Sequence, residues 1–63
     1  MTRKEYNELT EPQIELYNLV QALRKEYWEV DLLKTQIADI LTKRGYAKSS
    51  QTLYHKIARI KGI

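Results

Sequence analysis

The chain has 63 residues, net charge +3, no cysteine and two glycines, which describes one small domain able to bury only about 60% of its unfolded surface. Without cysteine it has neither a disulfide framework nor a thiolate metal site. The first thirteen residues lack the apolar core of a signal peptide, and no apolar run approaches the roughly 20 residues that span a bilayer, so the expected setting is a reducing cytoplasm. Residues 1–9 are polar, with scattered Tyr6 and Leu9, and read as a loosely ordered arm before a single domain over 10–63. A first helix starts at Thr10, where Thr10-Glu11-Pro12-Gln13 offers a hydroxyl N-cap, a proline in the first turn and a capping-box glutamine. Leu16, Leu19, Val20, Leu23, Tyr27 and Val30 carry it at core-facing spacing, which predicts a helix over roughly 11–28. Ile14, Tyr17 and Trp28 lie off that stripe. They form either a dimer or partner surface, since Trp and Tyr are enriched where interfaces bury energy, or an incidental cover over the small core.

Asp31 is the expected cap of a second helix over 31–44, with Thr35 as a later start; Leu33, Ile37, Ile40 and Leu41 share its inner face and Ala38 its flank. Gly45 ends it with Lys43 and Arg44 in the last turn, where cations complement the helix dipole, and Tyr46 is expected to fold back over Leu41 or Ile40. Ser49 or Ser50 caps a third helix over 49–61, and Gly62 stops it, leaving Ile63 to pack back on Ile57 or Ala58. At about 100° per residue, Leu53, Ile57 and Ile60 fall on one side of this last helix and Gln51, Thr52, His55 and Arg59 on the other. The fold class is therefore all-α: three helices, the last two forming a helix-turn-helix.

Charge divides the chain. The first 30 residues hold four basic and six acidic side chains; the remaining 33 hold seven basic and two acidic, with no acid after Asp39. Such asymmetry points to a polyanion partner for the second half, against the competing reading of a solvated face that keeps a small protein soluble. Enzyme chemistry has little footing. His55 is the lone histidine, the two glycines sit at helix ends rather than in a phosphate loop, and Glu11 with Glu15 is a pair on a solvated face. No catalytic residue, metal ligand, cofactor or small-molecule substrate is expected.

A basic outer face on a helix with an apolar inner face suits the DNA major groove. Gln51, His55 and Arg59 project at i, i+4 and i+8 as candidate readers of base edges; Lys43, Arg44, Lys48, Lys56 and Lys61 are candidate phosphate contacts, and the helix start at Ser49 and Ser50 is a ready anion site. The runs Gln36-Ile37-Ala38-Asp39-Ile40-Leu41, Gly45-Tyr46, Thr52-Leu53-Tyr54-His55-Lys56-Ile57 and Gly62-Ile63 resemble the Fis-type helix-turn-helix family, which includes a nucleoid protein and the C-terminal DNA-binding domains of NtrC-type activators. The resemblance covers about 28 of the 63 residues. It implies a homodimer joined through N-terminal helices and bound in the major groove. Ser49, Ser50 and Thr52 would then meet phosphates and bases, with His55 and Lys56 at basic positions. Ser50 stands where the family often has Arg, Tyr54 where it often has a basic residue, and Thr42, Lys43 and Arg44 lengthen the second helix beyond the compact motif. The expectation is a small DNA-binding transcriptional regulator, of the size found among phage and plasmid proteins, cytoplasmic and associated with the nucleoid. The alternative is a protein-interaction module, an antirepressor or partner subunit, using the Ile14, Tyr17 and Trp28 face.

Overall fold

The computed structural model describes residues 2–63; Met1, at the tip of the expected arm, lies outside them. Four α-helices make up the fold, with no strand among the described residues: α1 (Arg3–Asn7), α2 (Glu11–Glu26), α3 (Lys34–Lys43) and α4 (Ser50–Ala58). The all-α class holds, with one helix more than the sequence suggested. Within residues 2–9, expected as a loose arm, a short helix forms. Thr2 caps α1 by accepting the Glu5 N–H at 3.2 Å, and the Tyr6 ring meets Tyr17 of α2 edge-on, with centroids 5.8 Å apart.

The start of α2 follows its sequence signature. The Gln13 N–H donates to the Thr10 hydroxyl at 3.4 Å while the Thr10 N–H donates to Gln13 Oε1 at 2.9 Å, so both halves of the capping box are made. The helix ends at Glu26, two residues before expectation. Tyr27 leaves helical geometry and the Val30 N–H donates to its carbonyl at 2.9 Å, closing a turn over 27–30.

Three expectations fail in the connection that follows: the cap at Asp31, the inward Leu33 and the core-facing Val30. Asp31 does not cap α3; the N-cap is Leu33, whose side chain can accept nothing and whose N–H instead donates to Gln36 Oε1 at 2.8 Å. Leu33 therefore stands in solvent at 65% exposure, Val30 is 53% exposed, and it is Leu32 that enters the core. At the far end of α3 the sequence reading holds. Gly45 takes φ +91°, the Tyr46 N–H donates to the Leu41 carbonyl and the Gly45 N–H to the Thr42 carbonyl, each at 3.0 Å, which is a Schellman closure. Only the backbone of Tyr46 folds back on Leu41. Its side chain stays 60% exposed, on the rim of a hollow that Leu16 and Leu19 of α2 also line.

The core is built from Val20 and Leu23 of α2, Leu32, Ile37, Ala38 and Leu41 of α3 and its lead-in, and Leu53, Ile57 and Ile60 from the C-terminal segment. Ala38 of α3 is buried in this core; α4 packs mainly on α3 and more lightly on α2. Helix α4 stops at Ala58, three residues short of the expected end, and a tighter turn follows, with the Ile60 N–H donating to the Ile57 carbonyl at 3.1 Å. That turn sends Ile60 into the core, while Gly62, at φ +89°, lets the chain bend so that Ile63 rests against it. No helix is long and apolar enough to cross a membrane among the described residues.

Candidate nucleic-acid interface

Helix α4 presents the expected face. Leu53 and Ile57 are buried on its inner side, whereas Gln51, Thr52, His55 and Lys56 are all exposed. Ser49 is the N-cap, its hydroxyl accepting the Thr52 N–H at 3.5 Å, and Ser50 opens the first turn partly buried. The first turn of α4, at the positive end of the helix dipole, thus begins at the surface beside Lys48, itself exposed in the preceding loop.

The candidate side chains divide between two flanks of α4. On one, Thr52, Lys56, Lys48 and Ser49 line a shallow groove with Tyr46 and Ala47, and Lys56 continues along the hollow formed with Pro12, Gln13 and Leu16 at the start of α2. On the other, Tyr54 is half-buried. Its ring lies edge-on to His55, with centroids 5.7 Å apart, and borders a depression shared with Arg24, Leu33, Lys34 and Thr35. Arg24 and Lys34 were not among the sequence candidates. Charge alone marks them, but 20 to 30 residues separate them from Tyr54 in the chain, and it is the packing of α3 and α2 on α4 that brings them beside it.

Two basic candidates differ from the free cations that sequence suggested. Arg44, the C-cap residue of α3, makes a bidentate ion pair with Glu26 at the end of α2, at 2.8 and 3.0 Å. The hydrogen bonds hold the Glu26 carboxyl below its ordinary value and push the Arg44 guanidinium further up. Lys43, one residue before, is exposed. Arg59 is the C-cap of α4 rather than a residue of its body, and it shares a hollow with Glu5, Glu8, Leu9, Gln13 and Lys61, so acidic side chains of the N-terminal segment stand next to the basic end of the candidate face.

The three residues of the candidate partner face are not one surface. Ile14 and Tyr17 are both partly buried, and Tyr17 is met by Tyr6, whereas Trp28 lies beyond the end of α2 in the 27–30 turn at 78% exposure. No group of three or more His, Cys, Asp and Glu side chains is placed to hold a metal ion among the described residues. No protein-family model, curated protein or solved structure matches the chain.

Proposed function

We propose that this chain is a small DNA-binding regulator in which α3 and α4 act as a helix-turn-helix of the Fis type and α4 enters the major groove. The observation that carries the reading is the two-sidedness of α4: Leu53 and Ile57 are sealed against α3 while Gln51, Thr52, His55 and Lys56 project to solvent, in a half of the chain with no acid after Asp39. On this reading Gln51 and His55 meet base edges, while Arg59, at the C-cap beyond them, meets a phosphate. Ser49, Ser50, Thr52, Tyr54, Lys43, Lys48 and Lys56 fit backbone contacts at the helix start and along both flanks. Arg44 reaches phosphate only by giving up Glu26. One such unit offers little surface, so a homodimer on a two-fold site is the working form. The exposed Trp28, with Val30 and Leu33 in the same connection, is the apolar surface available for pairing or for another protein partner.

Fluorescence anisotropy with a random-sequence duplex, across roughly 50 to 300 mM salt, tests this reading. With four to six phosphate contacts per protomer the logarithm of affinity should fall with that of salt at a slope of about −4 to −5 for each protomer bound, and Lys56→Ala with Arg59→Ala should flatten the slope by about 2 per protomer. Trp28→Ala should leave the slope alone and lower only concentration-dependent assembly. Absence of binding at the lowest salt, together with a partner lost on replacing Trp28, would overturn the DNA reading in favour of the interaction module.

A further inference from the structure

The hollow at the C-terminal end of α4 joins opposite charges from the two ends of the chain: Glu5 and Glu8 from α1 and its cap, Gln13 from α2, and Arg59 and Lys61 from the segment after α4. No ion pair within 4 Å links these charges among the described residues, so the carboxylates oppose the cations through space without locking onto them.

Helix α1 is weakly held. It is five residues long and has no buried residue, far below the roughly 12 to 15 at which an isolated helix becomes marginally stable in water. Its visible ties to the body are the Tyr6 ring against Tyr17 and the partly buried Leu9. Arg3 and Lys4, on the same short helix, do not line the hollow and are exposed. A segment with so few apolar contacts belongs to the low-stability end of a fold, where opening costs little.

We propose that α1 is a displaceable flap, neutral as a segment but with only its carboxylates at the hollow, whose Glu5 and Glu8 compete with a nucleic-acid phosphate for Arg59 and Lys61. The proposal rests on the DNA reading of α4 and deepens it. Docked, Glu5 and Glu8 place negative charge where the phosphate backbone would pass at the end of the recognition helix, and they weaken binding there by like-charge repulsion. Undocked, the flap releases that charge and frees Arg3 and Lys4 to follow the backbone. Its action falls on affinity and on salt dependence and leaves base choice, which belongs to Gln51 and His55, unaffected.

The experiment measures duplex affinity by anisotropy for the full chain and three variants: Glu5→Gln with Glu8→Gln, Tyr6→Ala, and Glu29→Gln with Asp31→Asn as a control that removes equal charge from the α2–α3 connection. Substitution is used because truncation would remove Arg3 and Lys4 as well. The expected result is a roughly three- to tenfold gain for Glu5→Gln with Glu8→Gln at 50 mM salt, fading by 300 mM as screening sets in. Tyr6→Ala should give a comparable gain with the melting transition kept, and the control under about twofold. If the wild-type chain binds but neither flap variant exceeds the control, the flap is overturned while the DNA reading stands. If Glu5→Gln with Glu8→Gln gains and Tyr6→Ala does not, the charges act without displacement and the flap is likewise overturned. If no form binds, flap variants included, the DNA reading itself fails and takes the flap with it.

Discussion

Residues 44–49, between α3 and α4, and residues 27–33, between α2 and α3, are nearly the same length and are shaped by different means. In the first, local chemistry decides each step. Gly45 takes the positive φ that closes α3, the backbone of Gly45 and Tyr46 satisfies the last carbonyls, and the Ser49 hydroxyl opens α4. In the second, no residue at the end of α2 supplies a left-handed cap and no side chain caps α3. Its path follows tertiary demands: Leu32 is drawn under the core, Gln36 reaches back to the Leu33 N–H, and Glu26 clamps Arg44 at the far end of α3. The result leaves Trp28, Val30 and Leu33 in solvent. Tyr46 of the first connection is exposed as well, so the two differ in what fixes the path of the chain, local capping in one and reach into the core in the other, and not in whether apolar groups are left in solvent.

The sharpest way to break this contrast lies in the neighbouring leucines of the second connection. Leu32→Ala opens space in the core and should cost about 2 to 5 kcal/mol, while Leu33→Ala, in solvent, should change stability by less than about 0.5 kcal/mol. For a domain of this size the total is about 3 to 9 kcal/mol, so the first variant should lose most of its urea-resistant helicity, and the second should be indistinguishable from the parent by circular dichroism. Equal losses at the two positions would mean that the connection is not anchored through Leu32.

That pair also marks where sequence reading stops. The helices of the C-terminal half were legible because their signals are local. A period of 3.6 put Leu53 and Ile57 on one side, although Ile60 reaches the core through the turn after α4; Gly45 announced its turn, and in the first half Thr10 with Gln13 announced the start of α2. Asp31 offered an equally good local signal for a cap, and it was overruled. A cap at Asp31 would have turned Leu32 into the first turn of a helix, whereas the core required it in an extended lead-in packed near Leu23 and Ile37. Helix α1 was missed because five residues carry no apolar period; its stability comes from a ring contact with Tyr17, which sequence spacing does not reveal. The candidate interface was legible in its central face and not in its margins. Gln51, Thr52, His55 and Lys56 are where α4 periodicity put them, but the nearness of Glu5 and Glu8 to Arg59, and of Arg24 and Lys34 to Tyr54, depends on how α1 and α2 lie across the bundle.

A smaller effect probes the locally specified turn. An added Cβ at Gly45 would meet nothing within 4 Å, so Gly45→Ala creates no collision. The whole cost is then conformational, from holding a non-glycine residue at φ +91°, and should be about 1 kcal/mol. Asn tolerates this region better, so Gly45→Asn should recover part of the loss in the same denaturation measurement. A loss as large as that of Leu32→Ala would mean that the turn transmits strain into the α3–α4 contact that aligns the candidate interface.

The smallest effect concerns the ion pair that ties the two connections together, since Glu26 ends α2 just before the first and Arg44 caps α3 at the start of the second. The carboxyl of Glu26 is held below its ordinary value of 4.5 chiefly by the hydrogen bonds from Arg44. Its contribution to stability is therefore complete above that value, where the unfolded chain is also ionised, and is lost as pH falls through the lower folded value. Both side chains are exposed, 41% for Arg44 and 54% for Glu26, so salt screens the pair and the effect stays below that of Gly45→Ala. Glu26→Gln should melt slightly below the parent at pH 7 and low salt, and the gap should close as pH drops from about 4.5 towards 2. It should narrow again at 300 mM salt. The same variant frees the Arg44 guanidinium, so duplex affinity should rise if Arg44 is a phosphate contact held in reserve. A melting gap that persists unchanged to low pH would show that Glu26 acts through packing in the first connection, and that the two connections are not coupled by charge.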